Sequence, residues 1–478
     1  MNTQYKYGAL LILTLFIGLI ANLDYLQMHT HYVGYASLLL FSIMAIISPA
    51  FSLGWLIISS VLIEKIGIIS GQYLQTKCFL IITVIGIIYY INSIYQKKEQ
   101  LNINKFKIFL NLTLFTFLFL LMIKIQFKDI YLLYEYLISS VTSKLSDNTN
   151  AFYYVMIIRW SAIVVVTALI IKEFEQLDQL IMGITISGIG LLFSLDANIF
   201  NGIYLLCSGT GGEGVQNLYI NRADYAFKLS LSLYGISALL IMKLRNNVLL
   251  AFIFSIFIIT LLVTGGKGGL LGYILCVFIG LIYLRRWRPM LYIPIVLTTL
   301  YFIITPLKIC NPNVFLTQHF SALLTKGVMV RLSLYDQSLE RFENNIPQKN
   351  SNELSYNLYT PLLKGSNESY GDFVHRVDQH TEVGVYRSGS GSHNVFIDII
   401  NQYGLIIGLL LIFIIIFPIL ILLYKLYINK MTYYLLTIFG FIIIIFLYAN
   451  ITAALHVAIL VPLVFSMSIS ALKLLIDD

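Results

Sequence analysis

The chain is dominated by apolar stretches that are each long enough to cross a lipid bilayer. A spanning helix needs about 20 predominantly apolar residues, and this chain of 478 residues supplies such stretches almost from end to end. Inside a bilayer every backbone polar group must be satisfied within the segment, so each stretch is predicted to be an α-helix. About fourteen spans are predicted, at 8–27, 32–48, 51–69, 78–95, 106–127, 151–171, 177–196, 225–243, 247–264, 269–284, 289–306, 402–424, 432–448 and 450–473. The predicted fold class is therefore an all-α, polytopic membrane helical bundle.

The composition argues against soluble classes of protein. Hydrophobic residues make up 58% of the chain and charged residues 11%, whereas roughly 25% of an ordinary soluble domain is charged. A soluble chain with so few charges would expose large apolar patches. A soluble enzyme, a disordered chain and a nucleic-acid-binding domain are therefore not expected. The four cysteines are too few for a disulfide framework.

The basic residues indicate how the spans are oriented. Lys and Arg in short loops mark the cytoplasmic side. With fourteen spans and a cytoplasmic N-terminus, every basic loop cluster and the C-terminus fall inside, which accounts for much of the net charge of +8. These clusters are Lys97, Lys98, Lys105 and Lys107, then Lys243 and Arg245, then Arg285, Arg286 and Arg288, and finally Lys425 and Lys430.

This topology divides the chain into membrane parts and two outer segments. Residues 1–196 are predicted to be N-terminal transmembrane helices, with the first span retained rather than cleaved as a signal peptide. An outer segment at 197–224 precedes transmembrane helices at 225–306. A large outer loop at 307–401 is followed by C-terminal transmembrane helices at 402–478. A loop of this length without a role would be unusual, so we expect helices and function in it.

Two segments of the large loop carry candidate site residues. The first, 328–343, is predicted to be an amphipathic helix with Arg331 at its start, and its apolar spacing is set by Leu332, Tyr335, Leu339 and Phe342. The helix is either interfacial, with its arginine at lipid headgroups, or Arg331 holds a phosphate or diphosphate through two parallel hydrogen bonds. The second segment ends in His393 and Asn394. Asn394 is predicted to cap the next helix, and His393 either packs there or acts as a neutral base.

Further charged residues lie at the outer ends of spans. The turn at 264–269, TGGKGG, either lets the backbone approach a ligand beside Lys267 or is a tight interhelical turn. Arg222 and Asp224 begin the eighth span, where they either serve the site or form a surface ion pair. Arg159 is predicted to lie ~12 Å inside its span.

Ionisable groups inside spans are costly and require partners or water. Besides Arg159, the outer halves of the predicted spans contain Asp24, Glu64, Lys124, Asp196 and His456. Either a polar cavity open to the outer leaflet satisfies them together, or they form structural pairs. No sequence pattern indicates a metal site or a nucleotide cofactor, so none is predicted.

Taken together, these pieces resemble the O-antigen ligase and polymerase superfamily of bacterial inner-membrane glycosyltransferases. The family has many spans, a GT-C-like fold and one large periplasmic loop late in the chain. The resemblance covers roughly 200–425 and rests on the order of short motifs. These are Gly265-Gly266-Lys267-Gly268, then Arg331-Leu332-Ser333-Leu334-Tyr335, then His393-Asn394 with Gly404 and Gly408 in the next helix. Lys267 stands where the family usually has arginine, which keeps the charge and loses the bidentate fork.

The resemblance implies a function for these residues. Family members move a glycan from an undecaprenyl diphosphate donor to an acceptor hydroxyl at the periplasmic face. Arg222 and Arg331 would stabilise the diphosphate, and His393 would accept the acceptor proton. The remaining candidates would bind substrate, and they are Lys267, Arg159, Asn394 and Tyr335.

Three functions stay open at the level of sequence. The favoured one is an O-antigen polymerase that extends lipid-linked repeat units in the bacterial inner membrane, with a chain-length regulator as an expected protein partner. A ligase or protein O-oligosaccharyltransferase would use the same donor. A transporter or flippase of lipid-linked sugars is the third, although no internal repeat supports it.

Overall fold

The structure is a computed structural model that describes twelve parts of the chain. These are residues 3–21, 30–70, 74–96, 105–123, 134, 151–194, 222–242, 247–264, 267–283, 394–428, 433–451 and 459–477. Within these parts the regular structure consists of fifteen α-helices and contains no strand. In chain order the helices are α1 (Thr3–Ala21), α2 (Thr30–Ile47), α3 (Pro49–Ile58), α4 (Ser60–Ser70), α5 (Leu74–Gln96), α6 (Lys105–Met122), α7 (Ala151–Ile170), α8 (Phe174–Ser194), α9 (Arg222–Met242), α10 (Asn247–Val263), α11 (Lys267–Tyr283), α12 (Val395–Tyr403), α13 (Leu405–Ile428), α14 (Tyr433–Ile451) and α15 (Leu460–Asp477).

The helices follow the predicted spans. In the described parts, five helices are long and apolar enough to cross a membrane. Helices α3 and α4, which are bent relative to each other, are long and apolar enough when taken together, and seven further helices are apolar but shorter. Together they overlap every predicted span except the one at 289–306, which lies outside the described residues. The prediction of an all-α chain with helices that can cross a membrane is therefore confirmed for the described parts. The count of fourteen spans and the large outer loop stay predictions.

The polarity of the bundle is the reverse of that of a water-soluble protein. Among the five long spans, the most apolar helix is α13, and only 33% of its hydrophobic window is buried. The least apolar is α9, and its window is 89% buried. Large apolar side chains such as Ile406 and Phe413 are exposed on the outside of α13. This sorting places lipid-compatible side chains outside and hydrogen-bonding side chains inside.

Helix α9 is the centre of the bundle, and it packs against α8, α10, α11 and α14. Its contacts fix the relative directions of its neighbours. Tyr225 donates to the carbonyl of Leu191 in α8, and Ser232 donates to the carbonyl of Ile184, so α9 and α8 are antiparallel. We call the end at which α9 begins the Asp224 end, and the other the opposite end.

Hydrogen bonds also define the directions of α11, α14 and α12 relative to α9. Ser230 of α9 donates to the carbonyl of Gly269, so α11 begins at the Asp224 end beside α9. Tyr234 donates to the carbonyl of Leu436, so α14 begins at the opposite end and finishes at the Asp224 end. Helix α12 contacts the last residues of α14, and it therefore begins at the Asp224 end. Helices α9, α11 and α12 thus all start at one end of the bundle.

Helices α3 and α8 approach each other unusually closely. A Cβ atom at Gly183 would collide with the carbonyl oxygen of Phe51, and one at Gly54 would collide with that of Leu180. Small residues allow such close approach of backbones in membrane bundles. Ser48 adds a hydrogen bond of 2.6 Å from its hydroxyl to Gln179. These contacts hold α3 and α8 together as a parallel pair, and α8 in turn packs against α9.

The third predicted span is broken into two helices. Pro49 begins α3 directly after Ser48, which confirms the predicted boundary between the second and third spans. At Ser59 the chain bends by 72° and continues as α4. The Ser59 hydroxyl donates to the carbonyl of Ser187 in α8 at 3.2 Å, so the break is anchored on α8. Ser60 and Glu64 are thereby turned away from the axis of α3.

The start of the twelfth predicted span is also divided. The residues after Asn394 were expected to open one continuous helix, but Gly404 interrupts it between α12 and α13. Gly404 has φ of +81°, a left-handed conformation that only glycine adopts readily and that ends an α-helix. Helix α12 is consequently a separate short helix.

We expect Gly183→Ala to destabilise the protein by about 1–3 kcal/mol or more, because the added methyl must displace the backbone of α3. The thermal unfolding midpoint of the detergent-solubilised protein measures this effect. Gly8→Ala is the matched control, since nothing lies within 4 Å of a Cβ at that position. Equal midpoints for the two variants would contradict the proposed packing.

Candidate functional site

A buried ion pair lies in the first two turns of α9. Asp224 and Lys228 are joined by a contact of 2.9 Å between Oδ2 and Nζ, and they are 6% and 3% exposed. Their spacing of four residues puts them on one face of the helix. An aspartate in the first turn also lies near the partial positive charge of the helix N-terminus.

Neighbouring helices complete the hydrogen bonding of this pair. Lys228 donates to the hydroxyl of Ser60 at 3.0 Å, directly after the break between α3 and α4. Tyr448 of α14 donates to Oδ1 of Asp224, and its ring packs edge-on against Phe227 at 5.4 Å between centroids. One ion pair therefore ties α4, α9 and α14 together at the Asp224 end.

The surface location in one of the two interpretations of Arg222 and Asp224 is wrong for Asp224. Asp224 is buried, and its ion-pair partner is Lys228. Arg222 is the first residue of α9, and its side chain lies outside the described part of the structure. Lys228, Ser60 and Tyr448 were not among the predicted site residues. For Lys228 a signal was available, namely a lysine four residues after an aspartate inside an apolar span.

A second pair of charges lies beside the first. Glu64 of α4 is within electrostatic range of Arg159, Lys228 and Asp224. Glu64 and Arg159 are half-buried, and Arg159 Nε is a buried atom with no hydrogen-bond partner in the described structure. Arg159 thus lies near an opposite charge, as its predicted depth requires. The other predicted intramembrane charges, Asp24, Lys124, Asp196 and His456, lie outside the described residues.

Asn394 caps α12, which confirms its predicted position at a helix start. Its side-chain oxygen accepts from the backbone N–H groups of Phe396 at 2.9 Å and Ile397 at 3.3 Å. Its amide nitrogen donates to Oδ1 of Asn450 at 3.4 Å. Because Asn450 lies two residues after Tyr448 in α14, the start of α12 is linked to the start of α9 through the end of one helix.

Gly269, in the first turn of α11, serves helix packing. Lys267 is the first residue of α11, and its side chain lies outside the described part. A Cβ at Gly269 would lie 2.6 Å from the carbonyl carbon of Ala226 in α9. Gly269 therefore allows α11 to contact α9 closely.

The structure brings four of the seven predicted site positions to one region. The helix starts at Arg222, Lys267 and Asn394 share the Asp224 end, and Arg159 lies near Glu64 inside the bundle. Arg331, Tyr335 and His393 lie outside the described residues. In the described parts there is no group of three or more His, Cys, Asp or Glu side chains that could hold a metal ion.

No family model matches the sequence, and no curated protein or solved structure shows significant similarity to the chain.

We expect Lys228→Met to destabilise the protein by about 3–5 kcal/mol, because it leaves the buried Asp224 carboxylate without its cation. The double variant Asp224→Asn/Lys228→Met removes both charges and should recover much of this loss. Thermal midpoints of the wild type, Lys228→Met, Asp224→Asn and the double variant form a double-mutant cycle. Lys473→Met is the control, since that lysine makes an exposed hydrogen bond to Asn111. Strict additivity of the two single effects would contradict coupling between the partners.

We expect Asn394→Ala to destabilise the start of α12 by about 1 kcal/mol, because two backbone N–H groups lose their acceptor. Hydrogen exchange of a peptide covering α12 should become faster. Asn394→Asp retains the acceptor oxygen and removes the amide donor to Asn450, so its exchange should stay close to that of the wild type. Equal acceleration in both variants would show that the cap is not the stabilising contact.

Proposed function

We propose that this protein polymerises lipid-linked O-antigen repeat units at the periplasmic face of the bacterial inner membrane. It transfers the growing glycan from undecaprenyl diphosphate to the next undecaprenyl-diphosphate-linked repeat unit, without a metal. The observation that carries the proposal is that three of the predicted site residues lie at helix starts on the same end of the bundle. Arg222, Lys267 and Asn394 are far apart in sequence, yet α9, α11 and α12 all start at the Asp224 end.

The chemistry of glycan transfer fits this arrangement. The acceptor hydroxyl oxygen bonds to the anomeric carbon, the bond from that carbon to the donor phosphate oxygen breaks, and the diphosphate leaves with its negative charge. Arg222, Arg331 and Lys267 stabilise that charge, and the helix N-termini beside them favour anions. His393 accepts the proton of the acceptor hydroxyl. Asn394, Tyr335 and Arg159 bind the substrates.

The two alternative functions, a ligase and a transporter, are supported by different observations. A ligase or protein O-oligosaccharyltransferase uses the same donor and the same cationic residues, so it is distinguished by its acceptor. A transporter or flippase of lipid-linked sugars is favoured by one specific observation, the 72° break between α3 and α4 beside buried charges. Broken helices next to ionisable groups are common at transporter binding sites.

We expect purified protein in proteoliposomes to lengthen a synthetic undecaprenyl-diphosphate-linked repeat unit in the presence of EDTA. His393→Ala should lower the rate by about 100-fold or more, because the acceptor proton loses its base. Arg331→Lys should lower it less, since lysine keeps the charge and loses the bidentate contact. Product length on a gel measures both effects, with Lys473→Met as the control. Full activity of His393→Ala would exclude the assignment of the base.

The same assay separates the alternative functions. A ligase would transfer the unit to a lipid A-core acceptor and would not lengthen it. A flippase would move a labelled unit across the liposome membrane without changing its length. Either result in place of elongation would overturn the polymerase proposal.

A further inference from the structure

The two charge pairs near the Asp224 end differ in how they are satisfied. Asp224 and Lys228 are in direct contact and are completed by Ser60 and Tyr448. The side chains of Glu64 and Arg159, by contrast, make no direct hydrogen bond or ion pair with the rest of the described structure, although Glu64 lies within electrostatic range of Arg159. We call the first the closed pair and the second the open pair.

A purely structural role does not explain the open pair. Removing a charged group from water costs several kcal/mol, which direct contact with a counter-charge offsets. The closed pair shows that this bundle makes such contacts. The open pair keeps its two charges apart and half-buried, and Arg159 Nε is buried without an acceptor. Arg159 therefore retains an unused hydrogen-bond donor within electrostatic range of Glu64.

The charges indicate which kind of group would fit. A bridging group must donate a hydrogen bond to the Glu64 carboxylate and accept one from the Arg159 guanidinium. The two pairs together carry no net charge, so they offer no net attraction to either an anion or a cation. A hydroxyl or acetamido group satisfies both requirements without a net charge. Sugar rings carry several such groups.

The open pair is also close to the helix starts that carry the motif positions. Glu64 follows Ser60 by four residues, one turn along α4, and Ser60 accepts from Lys228 in the second turn of α9. Lys228 lies six residues, or ~9 Å, from the start of α9 at Arg222. This distance is about the length of a monosaccharide or disaccharide unit. A sugar bound at the open pair would therefore lie between the bundle interior and the proposed diphosphate site.

We propose that Glu64 and Arg159 form a binding subsite for a neutral sugar residue of the lipid-linked repeat unit. The inference rests on the proposed function for the identity of its ligand and extends it by a recognition site. The subsite binds hydroxyl or acetamido groups, and the cationic helix starts bind the diphosphate. Glu64 and Arg159 orient the sugar and take no part in proton transfer.

The test uses the full-length protein in nanodiscs and two measurements. The first is equilibrium binding of the lipid-free repeat-unit oligosaccharide, released from the synthetic lipid-linked unit by mild acid, which hydrolyses the bond between the sugar and the diphosphate. The second is the steady-state extension of the lipid-linked unit. Glu64→Gln and Arg159→Gln should each weaken binding of the oligosaccharide and raise KM on the order of 10-fold or more, the loss expected for one hydrogen bond to a charged group. We expect a much smaller change in kcat.

Glu175→Gln is the matched control, because it makes the same substitution in a carboxylate at the opposite end, where Glu175 accepts from Gln179. Arg159→Lys is a second variant that keeps the charge and loses the planar fork, and it should weaken binding in the same direction. It keeps the test decisive if a neutral variant does not fold.

The outcomes separate the subsite from the proposed function. If wild type extends the lipid-linked unit and the Glu64 and Arg159 variants retain its KM, the subsite is excluded and the polymerase proposal stands. If wild type binds the free oligosaccharide, the variants bind it more weakly and no extension occurs, the subsite stands and the polymerase proposal fails. If wild type neither binds nor extends, both are overturned.

Discussion

The ion pair between Asp224 and Lys228 determines how the Asp224 end is built. Two opposite charges in a medium of low dielectric attract each other strongly, but only direct contact and full hydrogen bonding offset their loss of hydration. Ser60 and Tyr448 supply those bonds. Because these partners come from α4 and α14, satisfying one pair in α9 fixes three helices relative to one another. Asn450, two residues beyond Tyr448, extends this constraint to the start of α12.

This constraint explains why the centre of the bundle is its least apolar long span. Helix α9 carries serines, tyrosines and charges that would be costly against lipid. Its neighbours bury it and accept its hydrogen bonds, as Tyr225, Ser230 and Ser232 show with carbonyls of α8 and α11. The strongly apolar α13 remains at the periphery. The polar interior is the part of the molecule in which chemistry on a hydrophilic headgroup or sugar can be accommodated.

In the proposed function, the diphosphate and the sugar bind to different sets of charged residues. The helix starts that carry Arg222 and Lys267 concentrate positive charge at the Asp224 end, which suits a diphosphate. Deeper in the bundle, Glu64 and Arg159 stand beside the closed pair and add no net charge, which suits a neutral sugar. An enzyme that binds a lipid-linked glycan needs both kinds of surface within the length of one substrate. The break between α3 and α4 is what turns Glu64 into this position.

The length of the apolar stretches was sufficient to predict most of the helices, because the bilayer leaves an apolar stretch of about 20 residues no other structure. The cap at Asn394 and the boundary at Pro49 were also predictable, since both depend on local backbone chemistry. The break at Ser59 and the interruption at Gly404 were not predicted. The first is anchored by Ser187 in a distant helix, and the second depends on a positive φ that a glycine permits but does not require.

In the candidate site, too, some features depend on local sequence and others depend on contacts between distant helices. Arg159 and Glu64 were recognisable as costly charges inside spans, and their sequence positions already required a partner or water. Their proximity to each other, and the pairing of Asp224 with Lys228, became visible only in the folded bundle. Residues such as Glu64 and Lys228 are separated by more than 160 positions, and no local pattern encodes which helix faces meet. The sequence thus indicated which segments form apolar helices and which charges need a partner or water. Tertiary packing decided that Asp224 and Lys228 are in direct contact, whereas Glu64 and Arg159 are not.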